Sequence, residues 1–239
     1  MRVKIAILFM VLLGFFAGFS SDTEQSFYLL RKKMVEEQIN SRGITDKRIL
    51  NAFMKVRRHL FIKPELRRMA YDDYLLDIGE GQAISQPYIV AVMTYAAAPE
   101  TNKKVLEIGT GSGYHSAILA ELVHSVYTIE LIGSLAQKAK HLLDGMGYKN
   151  IKFKIGDGHE GWAKYAPYDS IIVTCNEDHI PPALIDQLRV GGRMIIPVSY
   201  SSNVQELIVL EKRNNKGDLK KTNLIPVQLM PMIKGNKRK

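Results

Sequence analysis

Apolar positions change their period along the 239-residue chain, and the changes mark out its elements. From about residue 25 to 75 they recur at helical spacing, with Leu29, Leu30, Met34, Val35 and Ile39 on one face and Ile49, Leu50, Phe53, Met54 and Val56 on another. Thr45 and Asp46 are suited to cap the second helix, because their side-chain oxygens accept from amides that a helix start leaves unpaired. Gly79, Gly81 and the residues up to Pro87 read as an irregular loop, and 88–98 as a further helix that Pro99 ends. From Lys103 onward, short apolar runs predict strands near 104–108, 125–129, 151–155, 169–174 and 192–198, with helices over 114–123, 134–146 and 181–188 between them. Strands joined by crossover helices of that length form a parallel sheet wound on both faces. The runs 205–210 and 224–229 predict two terminal strands, antiparallel across the polar turn at Asn214, Asn215 and Gly217. The expected fold is therefore α/β: a doubly wound, mostly parallel, Rossmann-like sheet with N-terminal helices and C-terminal strands.

A hydrophobic content of 46% is enough for one sizeable core, expected over residues 25–235, and excludes a disordered chain. The net charge of +9 attracts anionic partners in general, but it gathers in Arg31, Lys32, Lys33, Arg57, Arg58, Arg67 and Arg68 and in a basic tail, 236–239, with Lys234 just before it. No aromatic-interleaved basic motif accompanies these charges, so no nucleic-acid partner is expected. The single cysteine, Cys175, ends an apolar run and is expected to be an inert filler. Arg2 and Lys4 precede an unbroken apolar stretch, 5–19, followed by Ser20, Ser21 and Asp22. That is the order of a secretory leader over 1–21, which points to export or the periplasm. An uncleaved N-terminal anchor is the variant in which a membrane becomes a partner, and a start at Met34 would instead give a cytoplasmic protein.

Val105-Leu106-Glu107-Ile108-Gly109-Thr110-Gly111-Ser112-Gly113-Tyr114 runs from a buried strand through a glycine turn into a helix. Gly109, Gly111 and Gly113 let the backbone turn tightly, so that a nucleotide-like ligand meets the amides at the helix start. A dinucleotide fingerprint would place its third glycine where Tyr114 stands. Three acids, Glu107, Glu130 and Asp157, each close a predicted strand, where ligands of open α/β sheets bind. Glu130 is placed to accept from both ribose hydroxyls, Asp157 from an adenine amino group, and Glu107 lies toward the amino-acid end of S-adenosylmethionine. Helix capping by strand-end acids is the structural alternative for each. No Walker-type lysine loop is present, which leaves phosphoryl transfer without support.

Ahead of the glycine turn lies Gly79-Glu-Gly-Gln-Ala-Ile-Ser-Gln-Pro-Tyr88. With that turn, Pro167-Tyr168-Asp169-Ser-Ile-Ile-Val-Thr, Gly191-Gly192-Arg-Met-Ile-Ile-Pro197-Val and Met230-Pro231-Met-Ile-Lys-Gly235, it resembles the protein-L-isoaspartate O-methyltransferase family from about Met34 to Gly235. The resemblance implies methyl transfer from S-adenosylmethionine to the carboxylate of L-isoaspartyl residues in proteins and peptides, with no metal, by a chain expected to act as a monomer. It carries the active-site role to Ser85, and cofactor and substrate contacts to Gln82, Ala83, Ile84, Glu130, Asp157 and Gly158; Glu107, Gly109, Thr110, Gly111 and Gly113 complete the expected cofactor set. Two departures bear on the site. Cys175-Asn-Glu-Asp-His179 replaces a small apolar, proline-rich stretch, and Ile233 stands where some relatives carry a hydroxyl.

A free carboxylate has an ordinary pKa of about 4, so at neutral pH the acceptor is already ionised and needs no general base. Ser85 is expected to hold it by a hydrogen bond; capping the helix before Pro87 is the alternative, and the two are compatible. His59, His115, His124, His141, His159 and His179 show no metal-ligand spacing and are given no catalytic role. Trp162 and Tyr165 are expected to pack. Outside the resemblance, a methyltransferase for another acceptor, a nicotinamide oxidoreductase and a silent cofactor binder are the competing classes.

Overall fold

The computed structural model describes residues 23–201 and 204–233. The expected leader, 1–21, and the basic tail, 236–239, lie outside the described residues, among which no helix is long and apolar enough to cross a membrane.

The N-terminal third is helical in short pieces. Helix α1 (Glu24–Lys33) passes directly into a π-helical turn, Met34–Ile39, and after a short 3₁₀ turn comes α2 (Lys47–Lys55). Of the two expected caps, Asp46 takes the position: its carboxylate accepts from the Arg48 amide at 2.8 Å. The face expected from Leu29 and Leu30 is rotated, since both leucines are exposed while Phe27 and Arg31 are buried. The cause is aromatic and polar anchoring. Phe27 stacks on His59 at 4.0 Å between ring centroids, and Arg31 donates to the Tyr71 hydroxyl at 3.2 Å. Met34, Val35, Ile39, Ile49, Phe53 and Val56 are buried as their spacing predicts.

The expected loop after residue 78 is in part a hairpin. Strands β1 (Leu76–Gly79) and β2 (Gln82–Ile84) pair antiparallel around Gly79, Glu80 and Gly81, all at positive φ. Strands this short carry too few residues for a period to show. Helix α3 (Pro87–Ala96) follows, with Pro87 in its first turn.

The rest alternates as expected: β3 (Lys104–Ile108), α4 (Tyr114–Ala120), β4 (Ser125–Glu130), α5 (Gly133–Gly145), β5 (Ile151–Ile155), β6 (Tyr168–Val173), α6 (Pro182–Gln187), β7 (Leu188–Ser201), β8 (Val204–Lys212) and β9 (Leu219–Val227). These strands form one sheet in the order β5-β4-β3-β6-β7-β8-β9, parallel through β7 and antiparallel from β7 to β9. Strand β9 begins earlier than its apolar run because Leu219 already pairs with Lys212. Alternate strand residues feed two cores. Val105, Val126, Ile172 and Ile195 pack toward the layer that holds α2, α3 and α4, while Leu106, Tyr127, Ile171 and Met194 pack toward α6. Trp162 and Tyr165 pack as expected, Tyr165 lying 4.5 Å from Tyr127 between ring centroids.

The connections leave β3 in opposite directions, toward β4 on one side and β6 on the other, which opens a crevice at its carboxyl end. The N-terminal helices pack beside it on α4 through Phe53, fully buried and edge-on to Tyr114 at 6.2 Å. Replacing Phe53 with alanine is expected to cost about 3 to 5 kcal/mol. Urea unfolding followed by circular dichroism measures it, and a loss below about 1 kcal/mol would mean that this layer adds nothing to the sheet.

Candidate active site

At the end of β3 the chain reverses through Gly109 to Gly113 into α4. A Cβ at Gly109 would lie 2.4 Å from Thr174 Oγ1, so any side chain there would collide with the end of β6. Gly113 starts α4 at φ +86, and a Cβ there would come within 2.9 Å of Leu143 on α5. The turn is thus pinned between two neighbours and presents its outer side to a cleft of about 940 Å³, open solvent included.

Four of the segments that line that cleft carry expected site residues. The hairpin and the start of α3 contribute Gln82, Ala83, Ile84 and Ser85; the glycine turn contributes Gly109, Thr110 and Gly111; the end of β4 contributes Glu130; and the turn after β5 contributes Gly158. Glu130 is buried, and its two oxygens accept from the amides of Gly111 at 2.8 Å and Ile132 at 3.0 Å. A carboxylate offers about four lone-pair positions, so two stay available toward the cleft. Ser85 is not the helix cap: Gln86 occupies that position, its side chain donating to the Asp73 carbonyl rather than capping the helix, and the Ser85 hydroxyl has no hydrogen-bond partner among the described residues.

Three expected cofactor residues do not line the cleft. Gly113 lies beneath it against α5. Asp157 turns back to accept from the His159 amide at 2.9 Å, capping the turn that carries Gly158. Glu107 points under α4, fully buried, where Ser116 and, at 2.7 Å, Thr128 donate to one of its oxygens. It reaches the cleft only by relay: Thr128 donates to Glu107, which leaves Thr110 to donate to Thr128 at 2.6 Å, and Thr110 is the wall residue.

Sequence reasoning missed part of the wall. His115 lines it, donating through Nε2 to Thr94 Oγ1 at 3.0 Å, since the Thr94 hydroxyl itself donates to the Val90 carbonyl. Burial pushes His115 down to about 3, so the ring stays neutral. Residues 229–233 close another side, held where Asn176 bonds the backbone of Met230 at 2.8 Å and of Met232 at 2.9 Å. The available signal was an apolar run beyond the last strand, in which Ile233 had already stood out.

The departure at 175–179 touches the cleft only through Cys175, whose thiol burial pushes up, in keeping with an inert filler. Glu177 is buried and turns away, facing His159 Nε2 at 2.9 Å while His159 Nδ1 faces Asp157 at 2.7 Å. Glu177, Asp178 and His179 also bring ligand-type atoms within 4.8 Å of one another, a grouping that the histidine spacing did not suggest.

Glu107 provides a pH test. Desolvation pushes its carboxyl up to about 7 from an ordinary 4.5, against the opposing hydrogen bonds of Ser116 and Thr128. Between those values the folded protein holds the extra proton, so stability falls as pH rises from 4.5 to about 7 and levels off above. Glu107→Gln is expected to remove this slope, so that its stability relative to wild type rises by up to roughly 3 kcal/mol between pH 5 and pH 8. Urea midpoints of both proteins at the two pH values measure it, and a constant difference would contradict it.

The chain matches the model of the family described as protein-L-isoaspartate(D-aspartate) O-methyltransferase over residues 30–237. It is 48% identical over 204 residues to the protein-L-isoaspartate O-methyltransferase of Opitutus terrae, covering 85% of this chain and 87% of that one. It is 41% identical over 233 residues to protein-L-isoaspartate O-methyltransferase 2 of Shewanella sediminis, covering 96% and 95%. Among solved structures, a protein-L-isoaspartate O-methyltransferase superposes with a TM-score of 0.78 at 28% identity, over 86% of this chain and 66% of that one. A Plasmodium falciparum structure of the beta-aspartate methyltransferase type, in complex with S-adenosyl-L-homocysteine, shares the fold with a TM-score of 0.74 at 22% identity, over 86% and 99%. By sequence and by fold, the chain belongs to the protein-L-isoaspartate(D-aspartate) O-methyltransferase family.

Proposed function

We propose that this protein transfers a methyl group from S-adenosylmethionine to the free carboxylate of L-isoaspartyl residues in damaged proteins and peptides. The observation that carries the proposal is the meeting of the Gln82–Ser85 segment with the glycine turn in one cleft, in a chain of this family. The cleft suits a nucleoside thioether: Glu130 has lone pairs left for two hydroxyls, and Ile108, Ile129 and Ile132 give apolar walls on either side of it. Gly158 and the turn capped by Asp157 take the adenine end.

Bound there, S-adenosylmethionine supplies an electrophilic methyl group on a sulfonium. The protein supplies placement. Ser85 donates to one oxygen of the acceptor carboxylate and leaves the other free to attack, and Thr110 and His115, locked by their own hydrogen bonds, keep the wall in register. Enforced proximity of this kind is worth several kcal/mol, up to about 7 to 11 in ideal cases. The methyl ester formed is a better electrophile than the carboxylate. After release, the neighbouring peptide nitrogen attacks the ester carbonyl, gives up its proton and expels methanol to close a succinimide, and addition of water returns part of it to normal aspartate. Since only Cys175 of the 175–179 departure lines the cleft, that segment gives no reason to favour another acceptor.

Paired aspartyl and isoaspartyl peptides incubated with methyl-labelled S-adenosylmethionine test the proposal. Label is expected on the isoaspartyl member alone, and equal or absent labelling would defeat it. Calorimetric titration is expected to show binding of S-adenosylhomocysteine and none of NAD. Ser85→Ala is expected to lower kcat by about 10- to 100-fold, the worth of one hydrogen bond to a charged group. Its affinity for S-adenosylhomocysteine should stay within about threefold, and undiminished turnover would remove Ser85 from the mechanism.

A further inference from the structure

Arg58 is fully buried and has no carboxylate partner. Its Nε donates to the Ala70 carbonyl at 2.7 Å, one terminal nitrogen donates to the Ser85 carbonyl at 2.7 Å, and the other has no hydrogen-bond partner among the described residues. The guanidinium lies 4.8 Å from the centre of the Tyr114 ring, another residue of the cleft wall. A nearby acid, Asp73, and the Tyr114 hydroxyl favour the cation, but Asp73 makes no ion pair with it and is engaged elsewhere: Arg42 donates to it at 2.7 Å and the Tyr88 amide at 3.4 Å. Burial lowers Arg58 only to about 10, so it is a cation at neutral pH.

A buried, unpaired charge is a costly way to tie two loops together, since a neutral amide can donate to the same carbonyls. The cleft shows what the charge adds. Among the described residues that line it, the only acid or base carrying a charge is Glu130, whose sign is wrong for an anionic acceptor. No lysine or arginine among them faces the place where a carboxylate has to sit. The cation next to Ser85 is behind the wall, on the carbonyl of that same residue, where low polarity screens it poorly.

We propose that Arg58 is a positioning residue for the acceptor: it fixes Ser85 through the Ser85 carbonyl and supplies, from inside the wall, the positive potential that selects an ionised carboxylate. This rests on the function proposed above and names how that site tells a carboxylate from its amide. Ser85 gives the contact, and Arg58 gives the sign of charge. Neither role requires the guanidinium to touch the substrate.

The test uses the full chain saturated with S-adenosylhomocysteine and two peptides, one isoaspartyl and one carrying the side-chain amide in place of that carboxylate. Calorimetry gives the ratio of their dissociation constants. Wild type is expected to prefer the carboxylate by about tenfold or more, as buried charge complementarity does elsewhere. Arg58→Gln should bring the ratio close to one while the amide peptide and S-adenosylhomocysteine keep their affinities within about threefold. Arg58→Lys should keep most of the preference, yet lose on the order of 10²-fold in kcat because the two-point grip on Ala70 and Ser85 is gone. A preference that survives in Arg58→Gln, or a proportional fall in all three affinities, overturns the proposal. If Arg58→Gln does not fold, Arg58→Lys decides, and wild-type turnover in that variant is the overturning result. Failure of the underlying function is seen separately, in wild-type enzyme that leaves the isoaspartyl peptide unlabelled.

Discussion

Two backbone amides, from Gly111 and Ile132, end on the carboxylate of Glu130, and this junction ties the loop after β3 to the loop after β4. The cleft depends on it. The two strands are parallel neighbours in register, Ile108 beside Ile129, so their carboxyl ends arrive together and each loop would otherwise leave an amide unpaired at a buried edge. One acid satisfies both and keeps lone pairs to spare. The glycine turn is held from the other side by Thr174, whose hydroxyl donates to the carbonyls of Ile108 at 3.0 Å and Gly109 at 2.8 Å.

Around this junction the polar groups are ordered by depth. Thr110, Thr128 and Glu107 form a chain of hydroxyls running inward to a buried carboxyl, and His115 is clamped as a neutral ring by Thr94. Below the opposite wall lies Arg58. The surface that meets a ligand is therefore mostly amide, hydroxyl and aliphatic, with Glu130 as its one acid among the described residues and the Arg58 cation beneath it.

The sheet was legible because parallel strands are buried on both faces and read as short apolar runs between helices. The predicted 104–108 and 151–155 coincide with the observed strands, and the other three differ mainly at their ends. The hairpin β1–β2 was not legible, since strands of four and three residues around three positive-φ positions leave no period to read. Leu29 and Leu30 misled for another reason: apolar spacing gives a helix face, but the stack of Phe27 on His59 and the bond from Arg31 to Tyr71 set its rotation. Among the three acids, Glu130 lines the cleft while Glu107 does not, although both close strands. Glu107 stops one residue short of the end of its strand and stays under α4, whereas Glu130 is the last residue of β4 and reaches the turn. Ser85 and its neighbours were found through the family resemblance, whereas Arg58 gave no signal, because one arginine among several in a basic third says nothing of its burial.

The segment 229–233 reaches the cleft from beyond the whole β7–β9 meander and is fastened to Asn176, more than fifty residues earlier in the chain. During synthesis the sheet, the glycine turn and the Ser85 loop all leave the ribosome before this closing piece does. A nascent chain can thus expose the glycine turn and the Ser85 loop while one side of its pocket is still missing, and that side is supplied only once the last strand, β9, has been made.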